Sequence, residues 1–204
     1  MAVTMTNPSS STSALPRRPG IAMTASMLAI AAGVMLFGGL LASYFGQRGA
    51  AQAAGEAWLP EGLALPNVAL ATTYLALVMS AVTAQWAVSA IKQNDRLNLY
   101  WALGTTLFLA FAFINGLTFC WRELGLVAAS GSYAALVYAI TVTHLLVVIA
   151  AIAVFVVMGF RALGGQFSPR NSEFVASAAA FWHFAVAAGF VVYVSLWFLE
   201  GAPK

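Results

Sequence analysis

Five stretches of this chain, residues 21–45, 67–91, 99–119, 133–160 and 174–199, contain no charged side chain. Each reaches the roughly 20 residues that cross about 30 Å of hydrocarbon at 1.5 Å per residue. An ionised group at the centre of a bilayer costs at least ~2.5–3.5 kcal/mol, so a membrane drives charges to the segments between spans. All nine Lys and Arg and all six Asp and Glu lie there. The chain is 62% hydrophobic and 7% charged, too little charge to make a water-facing shell around a soluble core. Lipid leaves its backbone no outside hydrogen-bond partner, and runs of this length are too long for barrel strands of about ten residues. The predicted fold class is therefore all-α: a polytopic membrane protein with a five-transmembrane-helix bundle.

The basic residues set an orientation. With the N-terminus cytoplasmic, the inner segments hold Arg17, Arg18, Lys92, Arg96, Arg161 and Arg170, and the outer ones hold Arg48, Arg122 and Lys204. That excess of inner positive charge predicts the N-terminus inside and the C-terminus outside. Residues 1–20, rich in Ser, Thr and Pro, read as a flexible cytoplasmic tail ahead of a membrane domain over 21–204. Ala51-Gln52-Ala53 resembles a signal cleavage site, but the first apolar run exceeds the usual 7–15 residues of a signal core, which favours a retained helix. Residues 46–66 form the longest predicted interhelical loop, with Trp58 and Leu59 at the outer interface. The short loop from Lys92 to Asn98 joins the second and third helices as an antiparallel hairpin. Arg122 and Glu123 read as a solvated loop pair.

The net charge of +3 is scattered with no basic stripe, so no nucleic-acid partner is expected. A single cysteine, Cys120, excludes an internal disulfide framework and a multi-cysteine metal site. Proline falls only at span ends and in loops, and no span carries the ionisable group that marks a stand-alone transporter.

The intramembrane polar residues are few. His144 and His183, counted from opposite ends of antiparallel helices, fall at comparable depth, and could face one another. Two facing imidazoles can hold a b-type haem, which makes a membrane b-type haem protein an alternative function. The plainer role is a hydrogen bond from each to a helix carbonyl or a neighbouring polar side chain, with Gln85, Asn115, Thr118, Thr141 and Thr143 available. Small residues Ala25, Ala29 and Gly33 recur every fourth position on the first helix, and Ala176 and Ala180 do so on the fifth. Such stripes let helices approach closely. Gly38-Gly39 reads as another close-packing site, and Gly164-Gly165 as a helix stop and turn.

On the fifth helix, Ala180-Phe181-Trp182-His183-Phe184 followed by Tyr193-Val194-Ser195-Leu196-Trp197 resembles the last helix of subunit III of haem-copper respiratory oxidases. Thr141 and His144 are similar to that family's preceding helix, with Val147 at the place of a second histidine. The loop from Lys92 to Asn98 and Met35-Leu36-Phe37-Gly38 fall in the same register, so the resemblance runs from the first helix to the C-terminus. The five-helix count is that of the short bacterial form.

Three carboxylates common in the family are replaced here, by Gly33, Thr118 and Val186. The resemblance implies a non-catalytic accessory subunit of a haem-copper terminal oxidase in a bacterial cytoplasmic membrane. It would pack beside catalytic subunit I, with subunit II in the same complex, and hold phospholipid to support aerobic electron transport. Haem and copper would sit in the partners, with no cofactor, metal or catalytic residue in this chain. Trp182 joins His144, His183, Gln85, Asn115 and Thr141 as a structural intramembrane residue. The related accessory subunit of a nitric oxide reductase is a further alternative.

Overall fold

The computed structural model describes residues 20–168 and 172–201. The predicted tail apart from Gly20, together with Arg17, Arg18, Arg170 and Lys204, lies outside the described residues. Five helices long and apolar enough to span a membrane follow one another: α1 (Ile21–Ala53), α2 (Asn67–Lys92), α3 (Arg96–Leu124), α4 (Ser132–Leu163) and α5 (Glu173–Tyr193). The last continues through a π-helical segment, Val194–Phe198, into a final turn, Leu199–Gly201. Among the described residues there is no β-strand.

The helices outrun the apolar stretches. α1 ends at Ala53, so Ala51-Gln52-Ala53 is its last turn and the outer loop starts later than expected. Trp58, Leu59, Leu63 and Leu65 of that loop pack back on the core. Arg122 and Glu123 belong to the last turn of α3, where sequence neighbours do not face one another; the expected loop pair is not formed there. Between α2 and α3 the chain turns within a few residues. Asp95 caps α3, its carboxylate accepting from the Asn98 backbone N–H at 3.0 Å and from the Asn98 side-chain amide at 2.6 Å. Those two bonds, the backbone one foremost, hold its carboxyl below the usual carboxylate range. Gly125 (φ 59°) stops α3, and Gly165 (φ 68°) turns the chain after α4, both in the left-handed region where a side chain is strained. Arg161 closes the α4–α5 corner, its guanidinium 5.3 Å from the Phe167 ring and 4.7 Å from the Phe174 ring.

α5 is the hub. It packs against α1, α2 and α4, while α2 lies along α3, and α4 also touches α1 and α3. α1 and α5 run parallel: Gly33 lies under Phe184, and Arg48 meets Glu200 near their C-terminal ends. α2 and α5 run antiparallel, with Trp182 on Ser80 and Tyr193 beside Tyr74. Lipid supplies no hydrophobic drive between helices, so close approach and hydrogen bonds must hold the bundle. A Cβ at Gly33 would collide with the Phe184 ring, and one at Gly116 with Thr73; the missing side chains let those helices touch. Gly38 and Gly39 do not serve this purpose within the chain, because a Cβ at either meets nothing within 4 Å; the pair lies on the open face of α1.

Within the π-helical segment Ser195, Leu196 and Trp197 are consecutive and all buried.

Candidate functional site

The polar side chains inside the bundle join helices in pairs. Trp182 of α5, enclosed and packed on Phe155 with ring centroids 4.7 Å apart and planes tilted by 49°, donates its indole N–H to Ser80 Oγ of α2 at 2.9 Å. Thr141 of α4 donates to the Val137 carbonyl at 2.7 Å and accepts from Trp121 of α3 at 3.2 Å. Thr83 and Thr106 tie α2 to α3 at 2.8 Å. Asn115 stands apart on the exposed face of α3, where its amide donates to the Phe111 carbonyl of its own helix at 2.9 Å.

His144 is fully enclosed, and its Nε2–H donates to the Ala185 carbonyl of α5 at 2.9 Å. Phe37, Tyr74 and Phe113 surround the ring with centroids at 6.1, 6.3 and 5.5 Å. Gly189 makes room for it, since a Cβ there would stand 2.8 Å from both Cε1 and Nε2 of His144 and 2.7 Å from Leu77 Cδ2. His183 is half-buried on a different side of α5, and its Nε2–H donates to Gln85 Oε1 of α2 at 3.2 Å.

The two imidazoles do not face one another. His144 lies at the Ala185 carbonyl and against Gly189, two and six residues beyond His183 on α5, about 3–9 Å along the axis at 1.5 Å per residue, while the His183 side chain turns to Gln85 of α2. One Nε2 is already bonded to a carbonyl and the other to a carboxamide, so the pair does not fit opposite faces of one haem. Among the described residues no three His, Cys, Asp or Glu come together as a metal cluster.

The small-residue stripe divides. Gly33 is buried in the α1–α5 contact, but Ala25 and Ala29 are exposed and make no close contact in this bundle. The three positions lacking the family carboxylates have distinct surroundings. Phe184 covers Gly33, Val186 is buried, and Thr118 is exposed and donates to the Asn115 carbonyl at 2.8 Å.

A second polar group, at the end of the bundle where α1 finishes, has no counterpart in the sequence reading. Arg48 Nε lies 3.0 Å from Glu200 Oε1, and the Glu200 side chain is only 2% exposed. Tyr44 O–H donates to the same carboxylate at 3.1 Å and accepts from the Trp58 indole at 3.2 Å. This lock joins α1, the loop that follows it and the end of the last helix. Tyr44 and Arg48 stand one turn apart, which is the sequence signal for it, but their partner lies more than 150 residues away.

A family model described as cytochrome c oxidase subunit III matches residues 10–200. The chain belongs to that family. It is 29% identical over 187 residues to "Probable cytochrome c oxidase subunit 3" of Nocardia farcinica, covering 90% of each chain. Over 188 residues it is 27% identical to "Cytochrome c oxidase subunit 3" of Corynebacterium diphtheriae, again covering 90% of each. To the protein of that name from Marchantia polymorpha it is 26% identical over 150 residues, 72% of this chain and 56% of that one. The Trp182-His183-Phe184 motif of this subunit III family member thus has a physical account here. Trp182 and His183 each bond to α2, and Phe184 seats α1.

Proposed function

We propose that this chain is a non-catalytic accessory subunit of a haem-copper terminal oxidase in a bacterial cytoplasmic membrane, N-terminus inside and C-terminus outside. It packs against the catalytic subunit and holds phospholipid, supporting aerobic electron transport, while oxygen reduction is carried by the partner. One observation carries the reading. The spans carry no Asp, Glu, Lys or Arg, and Thr83, Thr141, His144, Trp182 and His183 each make a hydrogen bond from one helix to another, so the chain brings shape and cohesion and no acid–base relay of its own. The sparing contact of α1 supports the same view. Only Gly33, Phe37 and Tyr44 of its 33 residues are buried, leaving most of a long apolar helix to face lipid or another subunit.

The test is purification of the tagged full-length chain from its native membrane in mild detergent. The expected preparation contains a larger haem- and copper-bearing subunit and retained phospholipid, and the chain alone shows no Soret band. A pigment bound by this polypeptide by itself, or isolation without any companion subunit, would overturn the proposal.

A further inference from the structure

The outward face of α5 carries a stripe the internal packing does not use. Ala176, Ala180, His183 and Ala187 follow one another at helical spacing and are half-buried or exposed. α2 holds one flank of α5 through Trp182 and Ser80, α1 holds the other through Phe184 over Gly33, and α4 lies behind, at the Ala185 carbonyl. The stripe therefore opens between α1 and α2, as the floor of a shallow groove with Phe190 and Val191 exposed at its outer end.

Two features of this floor point to the same occupant. Alanines above and below His183 let another helix backbone come close. The His183–Gln85 pair, in turn, is a hydrogen-bonding group on an open surface at hydrocarbon depth: His183 is about 15 Å along α5 from Glu173, and Gln85 about 10 Å along α2 from Lys92. His183 Nε2–H is spent on Gln85 Oε1. The lone pair on Nδ1 and the amide N–H groups of Gln85 have no partner among the described residues. Acyl chains offer none, and headgroups lie too far away along either helix.

We infer that the groove between α1 and α2, floored by Ala176, Ala180, His183 and Ala187, receives a transmembrane helix of a partner subunit. That helix presents, at the level of His183, a group that both donates and accepts. A hydroxyl or a carboxamide meets this requirement, because it can donate to Nδ1 and accept from the Gln85 amide. A carboxylate cannot donate, and an aliphatic side chain leaves both groups unsatisfied. The inference rests on the subunit reading above and assigns its docking surface.

The test uses the full complex, with a photo-crosslinking residue placed at Ala187 in the groove or, separately, at Phe108 on the exposed face of α3. The expected result is a strong adduct from Ala187 to a larger subunit of the complex and at least fivefold less from Phe108. A parallel preparation carries His183→Leu with Gln85→Leu. With two hydrogen bonds to the partner lost, the co-purified partner should fall by about 5- to 30-fold, while the variant still folds and its own unfolding midpoint in detergent drops by no more than the loss of the single His183–Gln85 bond. An Ala187 adduct only to lipid, or only to a second copy of this chain, would overturn the inference, as would preferential crosslinking from Phe108 or undiminished co-purification of the double variant. If the unsubstituted chain brings down no partner at all, the subunit reading itself fails, and this inference with it. That outcome is distinct from a partner found on another face.

Discussion

Adding one methyl group at Gly189 would place a Cβ 2.7 Å from Leu77 Cδ2 and 2.8 Å from Cε1 and Nε2 of His144. The leucine end can rotate away. The imidazole cannot do so freely, because its Nε2–H is held by the Ala185 carbonyl at 2.9 Å and its faces and edges meet Phe37, Tyr74 and Phe113. Overpacking of this kind costs about 1–3 kcal/mol. If the ring shifts far enough to break its bond, a further ~0.6–1.7 kcal/mol goes with it. Against these stands the helix preference of Ala over Gly, worth about 0.8–1.0 kcal/mol. Gly189→Ala is thus expected to destabilise the bundle by about 1–3 kcal/mol, read as the unfolding midpoint in mixed micelles titrated with sodium dodecyl sulfate. Gly38→Ala is the matched control, since its Cβ meets nothing within 4 Å and only the helix preference applies. A double-mutant cycle then isolates the cause. In a His144→Ala background the ring is gone, and Gly189→Ala should lose at least half of its penalty. Equal behaviour of Gly189→Ala and Gly38→Ala, or an undiminished penalty without the imidazole, refutes the account of Gly189 as the seat of His144.

Two further outcomes concern the ends of the helices. Glu200→Gln keeps the shape of the outer lock but removes the charge facing Arg48, and is expected to cost about 1.5–3 kcal/mol in the same assay. Arg48→Ala should cost more, because it leaves an enclosed carboxylate without its cation; a smaller effect for Arg48→Ala would count against a structural ion pair. At the turn between α2 and α3, Asp95 contributes stability at pH above the ordinary carboxylate value, and loses it as pH falls through its lowered pKa. Asp95→Ala should therefore lower the unfolding midpoint at neutral pH, with the gap to the unsubstituted chain closing in strong acid. A gap that persists there would point away from the carboxylate cap.

Which features were legible in the sequence follows from the range of the forces involved. Five spans could be read because excluding charge from hydrocarbon is a local rule, satisfied residue by residue. The turn at Gly164-Gly165 was legible for the same reason. Helix ends were less so: Arg48 and Glu200 carry charge, which cut the apolar runs short, yet each is helical and satisfied by the other across the bundle. Counting residues from span ends brought the two histidines near the same level of α5 but could not show which way either ring turns, and His144 meets the Ala185 carbonyl while His183 meets Gln85. Position-four spacing identified Gly33 as a packing site, but the same spacing also marked Ala25 and Ala29, which face outward. Spacing shows which residues share a stripe and not which stripe meets a neighbour. The widened turn at Val194–Phe198 left no periodic trace in five residues.

The pairing of α1 with α5 also bears on the order in which the bundle is assembled. Among the five spans described, α1 is synthesised well ahead of its main neighbour, since Gly33 waits for Phe184 and Arg48 for Glu200. At about 5–20 residues synthesised per second, some 150 intervening residues separate those partners by roughly eight to thirty seconds, and α4 is the neighbour that can reach α1 before α5 does.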